Sequence, residues 1–299
     1  MNVHIIKPNE DWILDRIGNE YEANSRHTIC SIENAHVVWN LSSKVLHYRR
    51  PKMVSGIQHI VPEKFKKELF DLKDSCTDIW LTHSPKTKTF LSNYTTKPIY
   101  CVPYWVNTSL WYPQRRYDNY PQSFLIGSFQ RDSEGADPTK PKLEKGPDIF
   151  VDWVKKISKI INKPIMVVLT GPRRDYIKEE LSKNNIRYIY YPDPSMAELN
   201  NLYSILDLYL ITSRIEGGPQ AVLECAITRT PVLSTNVGIV DLILHQDCIL
   251  DISTETFSLP TKAHIDYAYG QVLNYSITNQ VKAIDDIFEQ LNENTNNRR

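Results

Sequence analysis

Short apolar runs alternate with segments of helical periodicity along most of this chain. In the second half, runs rich in β-branched and aromatic residues predict strands at residues 124–128, 165–170, 187–191, 208–212 and 232–235. Apolar residues three and four positions apart predict the helices between them, at residues 149–161, 176–184, 196–206 and 220–228. This alternation predicts an α/β fold with a doubly wound parallel sheet and right-handed crossovers.

The first half has the same alternation with shorter elements. It predicts strands at residues 3–6, 37–41, 53–58, 79–82 and 99–102, and helices at residues 12–21, 63–72 and 86–94. We therefore expect a second parallel α/β unit, and its small number of strands indicates a reduced Rossmann-like domain.

A polar segment rich in turn formers, residues 111–121, has the composition of a domain linker. We place the boundary at residue 118, so that the domains are residues 1–118 and 119–270. Residues 271–299 contain a helix with one apolar stripe, followed by a polar tail that we expect to be disordered. The stripe consists of Val281, Ile284, Ile287, Phe288 and Leu291.

The most informative segment, residues 213–224, turns from a predicted strand into a predicted helix. Its sequence is Ser-Arg-Ile-Glu-Gly-Gly-Pro-Gln-Ala-Val-Leu-Glu. Gly217 and Gly218 let the main chain approach a ligand because they have no Cβ, and Pro219 suits the start of a helix. Main-chain amides at such a start favour an anion, so this turn predicts a phosphate-sized site.

Two carboxylates flank this turn. Glu216 lies in the loop, and Glu224, eight residues later, projects from the helix toward the same neighbourhood. They suit acceptors for the hydroxyl groups of a sugar nucleotide on either side of its diphosphate. The alternative is an acidic residue that the helix dipole favours, because this spacing is common by chance.

This segment resembles the signature of retaining glycosyltransferases of family 4, which have the GT-B fold. The family pattern SR-x-EGGP-x(4)-E-(A/C)-A-x(4)-PV is matched in register from Ser213 to Val232, and Gly238 matches the next family glycine. The resemblance implies two Rossmann-like parallel-sheet domains facing across a cleft. It also implies that the C-terminal helix packs back on the first domain.

The resemblance implies how the donor diphosphate is bound. Family members use a Lys-Gly pair, matched by Lys145 and Gly146, and an Arg or Lys soon after the preceding strand, matched by Arg131. Lys145 is thereby also a catalytic candidate, because negative charge grows on the leaving diphosphate. A solvated loop position is the alternative for both cations, and Lys140 or Lys142 is an alternative to Arg131.

The resemblance also assigns the sugar and nucleoside contacts. It implies that Glu216 contacts the donor hexose as a catalytic-site residue and that Glu224 accepts hydrogen bonds from the ribose hydroxyls. The turn at residues 217–219 would face the sugar and distal phosphate. Gly171 matches a family glycine beside the nucleoside.

The first domain contributes weaker signals. The family often places a catalytic histidine after an apolar strand, which His59 matches, while a structural role is the alternative; His83 has a similar setting. Residues 7–12 lack the glycine-rich loop that is typical of the family, so the acceptor side departs from its pattern. The chain has no Asp-x-Asp, which fits a metal-independent enzyme, and we expect no metal and no cofactor besides the donor substrate.

Composition limits the partners and the compartment. The chain has 35 basic and 35 acidic residues, so no global field attracts nucleic acid. Five scattered cysteines without a CxxC pair favour a reducing compartment. Without an apolar stretch of membrane-spanning length or a signal sequence, we expect a cytoplasmic protein, for which peripheral membrane contact remains open.

The sequence thus predicts a retaining hexosyltransferase. Its partners would be a nucleotide-diphosphate sugar as donor and a saccharide or other hydroxyl acceptor. A GT-B epimerase or hydrolase acting on a nucleotide sugar, and a non-catalytic nucleotide-sugar binding protein, are the alternatives.

Overall fold

The computed structural model describes residues 1–10, 13–48, 51–114, 122–135, 137 and 139–296. The chain divides into two compact units, Met1–Trp105 with Tyr275–Arg299, and Val106–Asn274. The division after Trp105 differs from the predicted boundary at residue 118. That residue lies outside the described residues, as do residues 115–121 of the predicted linker.

Strands and helices alternate through both units. The strands are β1 (Asn2–Ile6), β2 (Thr28–Ile29), β3 (Val37–Asn40), β4 (Lys52–Ile57), β5 (Ile79–Thr82), β6 (Ile99–Cys101), β7 (Phe124–Ser128), β8 (Ile165–Thr170), β9 (Arg187–Tyr191), β10 (Leu208–Ile211), β11 (Val232–Thr235) and β12 (Ile249–Leu250). The helices are α1 (Ile13–Asn24), α2 (Lys67–Ser75), α3 (Pro85–Leu91), α4 (Pro147–Ser158), α5 (Asp175–Lys183), α6 (Met196–Ile205), α7 (Gln220–Thr228), α8 (Val240–Ile243), α9 (Lys262–Val272) and α10 (Ile277–Asn296).

The first unit is built on a parallel sheet with the order β2-β1-β3-β4-β5-β6. All residues of β3 and β5 are buried, as expected for parallel strands that are covered on both faces. Phe70 of α2 stacks on Trp80 of β5, with 5.0 Å between ring centroids. This contact fixes α2 beside the carboxyl ends of the central strands.

Helix α10 completes the first unit. Val281, Ile284 and Phe288 of the predicted apolar stripe are buried, and the Phe288 ring lies 5.9 Å from that of Tyr21 and 6.0 Å from that of Trp39. Helix α10 packs against α1, in the unit that contains the N-terminal strands. The last residues of the predicted polar tail, 297–299, lie outside the described residues.

Asp285 connects α10 to α1 and to the residues that follow it by hydrogen bonds. Its carboxylate accepts bonds from the Tyr21 hydroxyl and the Ser25 hydroxyl, both at 2.7 Å, and from the Arg26 amide at 3.1 Å. Burial, more than the Asp285 charge, raises the pKa of Tyr21, so this phenol remains a hydrogen-bond donor. The charge of Asp285 is thus stabilised by three donors within the unit.

The second unit has a parallel sheet with the order β12-β11-β10-β7-β8-β9. Chain order runs outward in both directions from the pair β7 and β10, which makes their carboxyl ends a topological switch point. Among the described residues each sheet has six strands, so the first unit equals the second in strand number.

The predicted strands are all present, with ends displaced by at most one residue. Two short edge strands, β2 and β12, and helices α8 and α9 were not predicted. The predicted helix at residues 63–72 is instead a single 3-10 turn, Pro62–Lys64, followed by α2. Within the described residues, none of the helices combines the length and the apolar character needed to cross a bilayer.

Candidate active site

The candidate site lies at the carboxyl ends of β7 and β10. In an open parallel sheet the loops that leave such a pair diverge to opposite faces, and a ligand can lie between them. Gln130 follows β7, and Thr212 and Ser213 follow β10. Thr212 and Ser213 are both buried, so their hydroxyl groups form hydrogen bonds with neighbouring loop residues.

Gly146 ties the loop before α4 to the end of β10. The Thr212 hydroxyl donates to the Gly146 carbonyl at 2.9 Å. Gly146 has a φ of +62°, and a Cβ on it would lie 1.9 Å from the carbonyl oxygen of Thr212. Only glycine allows this approach of two main chains, which explains the Lys-Gly pair physically.

The adjoining loop segments are joined by further bonds. The Arg214 amide donates to the Glu144 carbonyl at 2.8 Å, and the Arg214 guanidinium forms a two-bonded pair with Asp148 at 2.8 and 2.6 Å. Two parallel bonds of this kind fix orientation as well as distance. Residues 143–148 and 212–216 therefore form one framework.

Within this framework Lys145 and Glu216 form an ion pair between Nζ and Oε1. The side chains are 24% and 10% exposed, so the pair is largely shielded from solvent but still accessible to a ligand. The Ser213 hydroxyl donates to the same Glu216 oxygen at 3.1 Å, and the side-chain Nε2 of Gln130 donates to the Lys145 carbonyl at 2.9 Å. The structure thus brings together two of the predicted catalytic residues.

Arg131, also predicted, lies at the base of a small hairpin. The Lys142 amide donates to the Asp132 carbonyl at 2.7 Å, and Ser133 pairs with Pro141 in an antiparallel bridge. Arg131 and Lys142 thereby lie at the two ends of the hairpin, next to each other. Both are half-buried.

Lys142 joins Lys145 and Arg131 in a cluster of positive charge. Burial lowers the pKa of Lys142, and the charges of Lys145 and Arg131 lower it further. Lys140 is exposed and pairs with Glu134 at 3.3 Å. Of the two lysines named as alternatives to Arg131, the loop therefore turns Lys142 toward the cluster and Lys140 away from it.

The hairpin is anchored by Arg174, which lies just before α5. Arg174 is completely buried and pairs with Asp132 at 2.6 Å. Its guanidinium also donates to the carbonyls of Ser128 and Thr170, at 2.6 and 2.8 Å. Arg174 is thus a structural residue, and no sequence pattern distinguishes it from neighbouring Arg173.

The glycine-rich turn packs closely against a second turn. Gly238, with a φ of +54°, leaves its Cβ position 2.9 Å from atoms of both Gly218 and Pro219. Pro219 is the residue that precedes α7, and no side chain caps this helix start. Gly217 and Pro219 are buried and Gly218 is half-buried.

Glu224 lies on α7 and is buried. Its Oε2 accepts a hydrogen bond from the Tyr203 hydroxyl at 2.9 Å. Burial, followed by the charge of Glu224, raises the pKa of Tyr203 well above its usual value. Tyr203 therefore stays protonated and orients one carboxyl oxygen of Glu224.

Gly171 follows β8 with a φ of +80°, and no atom lies within 4 Å of the position that a Cβ would take. Its amide donates to the Tyr191 carbonyl at 3.1 Å, and its carbonyl accepts from the Tyr190 hydroxyl at 2.9 Å. The backbone conformation favours glycine here, while the space beside it is open.

His59 and His83 lie in the first unit. His59 is exposed and lines a pocket of about 650 Å³ beyond the end of β4. His83 is completely buried, bonds the Val102 carbonyl through Nδ1 at 2.7 Å and stacks on Tyr104. Burial lowers the pKa of His83 to about 4, so its ring is a neutral packing element.

Among the described residues, one group of side chains has ligand types that bind metal ions, namely His245, Asp247 and His264. The Nδ1 atoms of the two histidines accept hydrogen bonds from the amides of Asp247 and Thr261, both at 3.3 Å. The rings stack with their centroids 4.9 Å apart. The two histidines cap helix starts, and this capping explains why the three side chains lie together.

Residues 141–247 match the family model described as Glycosyl transferases group 1. This range contains Lys145, Gly171, Glu216 and Glu224, whereas Arg131 and His59 lie outside it. No curated protein has a sequence significantly similar to that of this chain.

Solved structures resemble the whole chain. HepE from Anabaena in complex with UDP-glucose has a TM-score of 0.63 at 12% identity, over 100% of this chain and 99% of that chain. A glycosyltransferase from Rickettsia africae ESF-5 has a TM-score of 0.65 at 12% identity, over 97% of both chains. The N-terminal domain of Candida albicans trehalose-6-phosphate phosphatase has a TM-score of 0.64 at 13% identity, over 95% of this chain and 77% of that chain.

At these identities the likeness concerns the fold. The chain has two Rossmann-like domains, each with an all-parallel sheet, as the GT-B glycosyltransferases have. The predicted fold class is therefore confirmed.

Proposed function

We propose that this protein is a retaining glycosyltransferase, which moves a hexosyl group from a nucleotide-diphosphate sugar to a hydroxyl acceptor. The observation that carries the proposal is the cation cluster of Arg131, Lys142 and Lys145 beside Glu216 at a switch point. It lies where α/β sheets bind ligands, and most of it falls within the range that matches the family model. The UDP-glucose bound by HepE, which shares the fold, supports a nucleotide sugar as the donor.

The cation cluster supplies the charge that the reaction requires. As the bond between the sugar and the diphosphate weakens, negative charge grows on the leaving oxygens. Lys145 and Arg131 bind the two phosphates, and Lys142 adds a third positive charge from the same loop. The amides at the start of α7, near residues 217–219, contribute partial positive charge.

Donor binding exchanges the partner of Lys145. The ammonium group of Lys145 pairs with Glu216. A phosphate oxygen replaces that carboxylate, and Glu216 then accepts a hydrogen bond from a hydroxyl of the donor hexose. Ser213, which already donates to Glu216, holds the carboxylate in place during the exchange.

The transfer itself is a displacement on one face of the sugar. The acceptor oxygen forms a bond to the anomeric carbon while the bond from that carbon to the phosphate oxygen breaks. The acceptor proton passes to the departing phosphate, which becomes the nucleoside diphosphate. Configuration is retained because attack and departure take place on the same face.

The remaining predicted residues take supporting roles. Glu224, oriented by Tyr203, accepts hydrogen bonds from the ribose, and the open side of Gly171 admits the nucleoside. His59, in the first unit, contacts the acceptor. We propose that lysine, arginine and helix-terminal amides take the place of a divalent metal, so a chelator should leave the rate unchanged.

The proposal is tested by donor binding followed by product analysis. A thermal-shift screen of UDP, GDP, ADP and their common sugars identifies the donor. The anomeric signal of the product, observed by NMR with an acceptor panel, should then have the configuration of the donor. Product of the opposite configuration would exclude retention.

The same assay separates the alternatives. Free sugar or an epimer formed without acceptor would support a hydrolase or an epimerase. Tight nucleotide binding without turnover across the panel would support a binding protein. If no nucleotide or nucleotide sugar raises the melting temperature, the proposal fails as a whole.

A further inference from the structure

The pocket that contains His59 lies at the carboxyl ends of β1, β3 and β4, with α2 along one side. In the first sheet the chain order diverges at β1 and β3, so this is the switch point of the first unit. Its volume is about 650 Å³, which suits a small organic molecule. Most of its wall is apolar and includes Leu14, Ile57, Ile60, Phe65, Phe70 and Trp80.

Lys73 provides a buried positive charge in this pocket. The residue is 9% exposed, and its Nζ donates to the carbonyls of Ser42 at 2.8 Å and Gly56 at 3.4 Å. Within the described part of the chain it has no carboxylate partner. An ammonium group has three donors, so one remains beyond these two bonds, and Nζ lies 5.8 Å from the centroid of the Trp80 ring, which also lines the pocket.

Gln58 provides a second donor from the neighbouring strand end. Its Nε2 is buried and has no acceptor among the described residues. It lies 3.0 Å from the position that a Cβ on Gly56 would take, and Lys73 bonds the carbonyl of the same glycine. Two nitrogen donors thus approach one glycine at the end of β4, and a buried donor left without an acceptor is unfavourable.

Among the described residues around the pocket, positively charged side chains outnumber negatively charged ones. Lys44, Lys64 and Lys66 line it together with Lys73, whereas Glu10 is the one acidic residue among the lining residues that the structure describes. The chain as a whole carries no net charge, so this excess is local. A pocket with apolar walls, inner nitrogen donors and surrounding lysines is complementary to an anion that is joined to an apolar group.

We propose that this pocket binds the acceptor of the transfer reaction and that this acceptor is an oxyanion, a carboxylate or a phosphate, joined to an apolar body. The identification of this ligand as the acceptor rests on the proposed function, whereas the chemistry of the ligand follows from the residues that line the pocket. The anionic oxygens accept hydrogen bonds from Lys73 and Gln58, and the apolar body lies against Ile60 and Phe65. Such an anion also neutralises the charge of Lys73.

Four small probes test the ligand class on the full chain by titration calorimetry. Hexyl phosphate and heptanoate carry both features, hexanol has only the apolar part, and inorganic phosphate has only the charge. We expect one of the first two to bind at least tenfold more tightly than hexanol and inorganic phosphate, and the tighter of them identifies the oxyanion. Equal affinity for hexanol or for inorganic phosphate, or no binding of any probe, would overturn the proposal.

Variants connect the binding to the pocket. Lys73→Met and Gln58→Leu should each weaken binding of the preferred probe at least tenfold. Lys67→Met is the matched control, because Lys67 is an exposed residue of α2 that pairs with Asp71 and does not line the pocket. Melting temperatures show whether each variant folds. If Lys73→Met does not fold, Gln58→Leu still tests the proposal. Undiminished binding in a folded variant would place the probe elsewhere.

Donor binding separates this proposal from the proposed function. Nucleotide sugars should raise the melting temperature of Lys73→Met as much as that of the unchanged protein, because their proposed site lies in the other unit. Donor binding without probe binding would refute only the present inference. Probe binding without donor binding would refute the transferase and leave an oxyanion site.

Discussion

Single residues at the candidate site act through backbone geometry as much as through charge. Gly146 and Gly171 have similar dihedral angles, with φ of +62° and +80°, but different surroundings. A Cβ on Gly146 would meet a main-chain oxygen, whereas beside Gly171 the space is open. The two glycines therefore separate the effect of steric overlap from that of backbone strain.

Gly146→Ala should destabilise the protein by more than Gly171→Ala. Strain at positive φ is about 1–2 kcal/mol for alanine in either place. At position 146 the overlap with the Thr212 carbonyl adds to it, so we expect a total of roughly 3 kcal/mol or more. Urea unfolding measures both values, and equal values would show that the loop moves freely away from β10.

Lys145→Met should reduce turnover more than donor binding. The charge on the diphosphate is larger in the transition state, so a cation there mainly affects kcat, by about 10²-fold. Lys140→Met is the matched control, since Lys140 lies in the same loop, is exposed and pairs with Glu134. Unchanged kcat in Lys145→Met would contradict the role of this loop in catalysis.

Lys73 should make stability depend on pH in the alkaline range. Burial lowers its pKa from 10.5 to about 8 in the folded protein, so between these values the unfolded chain binds more protons. Unfolding free energy should therefore rise from pH 8 to pH 10.5 by on the order of 3 kcal/mol from this group alone. The other titratable groups among the described residues that line the pocket are Glu10, Lys44, His59, Lys64 and Lys66.

The difference between the unchanged protein and Lys73→Met isolates this contribution. The variant should lose the rise with pH, while groups common to both proteins cancel. Parallel stability curves for the two proteins across this range would show that Lys73 is solvated in solution.

At the scale of elements, the periodicity of apolar residues identified the strands and helices that are long and buried. The sequence predicted β7, β8, β9 and β11 to the residue, because each is an apolar run between turn formers. Strands β2 and β12 have two residues each and no pattern of their own, since pairing with β1 and β11 defines them. The hairpin that places Lys142 beside Arg131 depends on contacts with distant Arg173 and Arg174, which local spacing does not encode.

Helix α10 shows how such an element contributes to stability. Its Phe288 is fully buried against Tyr21 and Trp39, so Phe288→Ala leaves a cavity between α10 and the first sheet. We expect a loss of about 3–4 kcal/mol in unfolding free energy. Lys282→Ala, on the exposed side of the same helix, should change stability by less than about 0.5 kcal/mol. Calorimetry of both variants is the measurement, and similar effects would contradict this packing.

On the scale of the molecule, the sequence predicted two α/β units, and the structure adds which segments build each of them. The composition of residues 111–121 indicated a linker, but the contacts divide the chain after Trp105. Local composition marks polar surface segments, whereas the extent of a unit depends on which side chains pack together. The sequence also carried stronger signals in the second unit than in the first, because Glu216, the turn at residues 217–219 and Glu224 lie in one contiguous motif.

The path of the chain has a consequence for biosynthesis. The second unit, Val106–Asn274, is inserted between the first 105 residues and α10 of the first unit. During translation the inserted unit emerges whole while Tyr21 and Trp39 still lack Phe288. On stalled ribosomes, nascent chains should therefore resist proteolysis in the insert before their N-terminal portion does, the reverse of the usual vectorial order. The chain thus exposes an aromatic surface for the whole time that the insert is being made, and a chaperone has that interval in which to cover it.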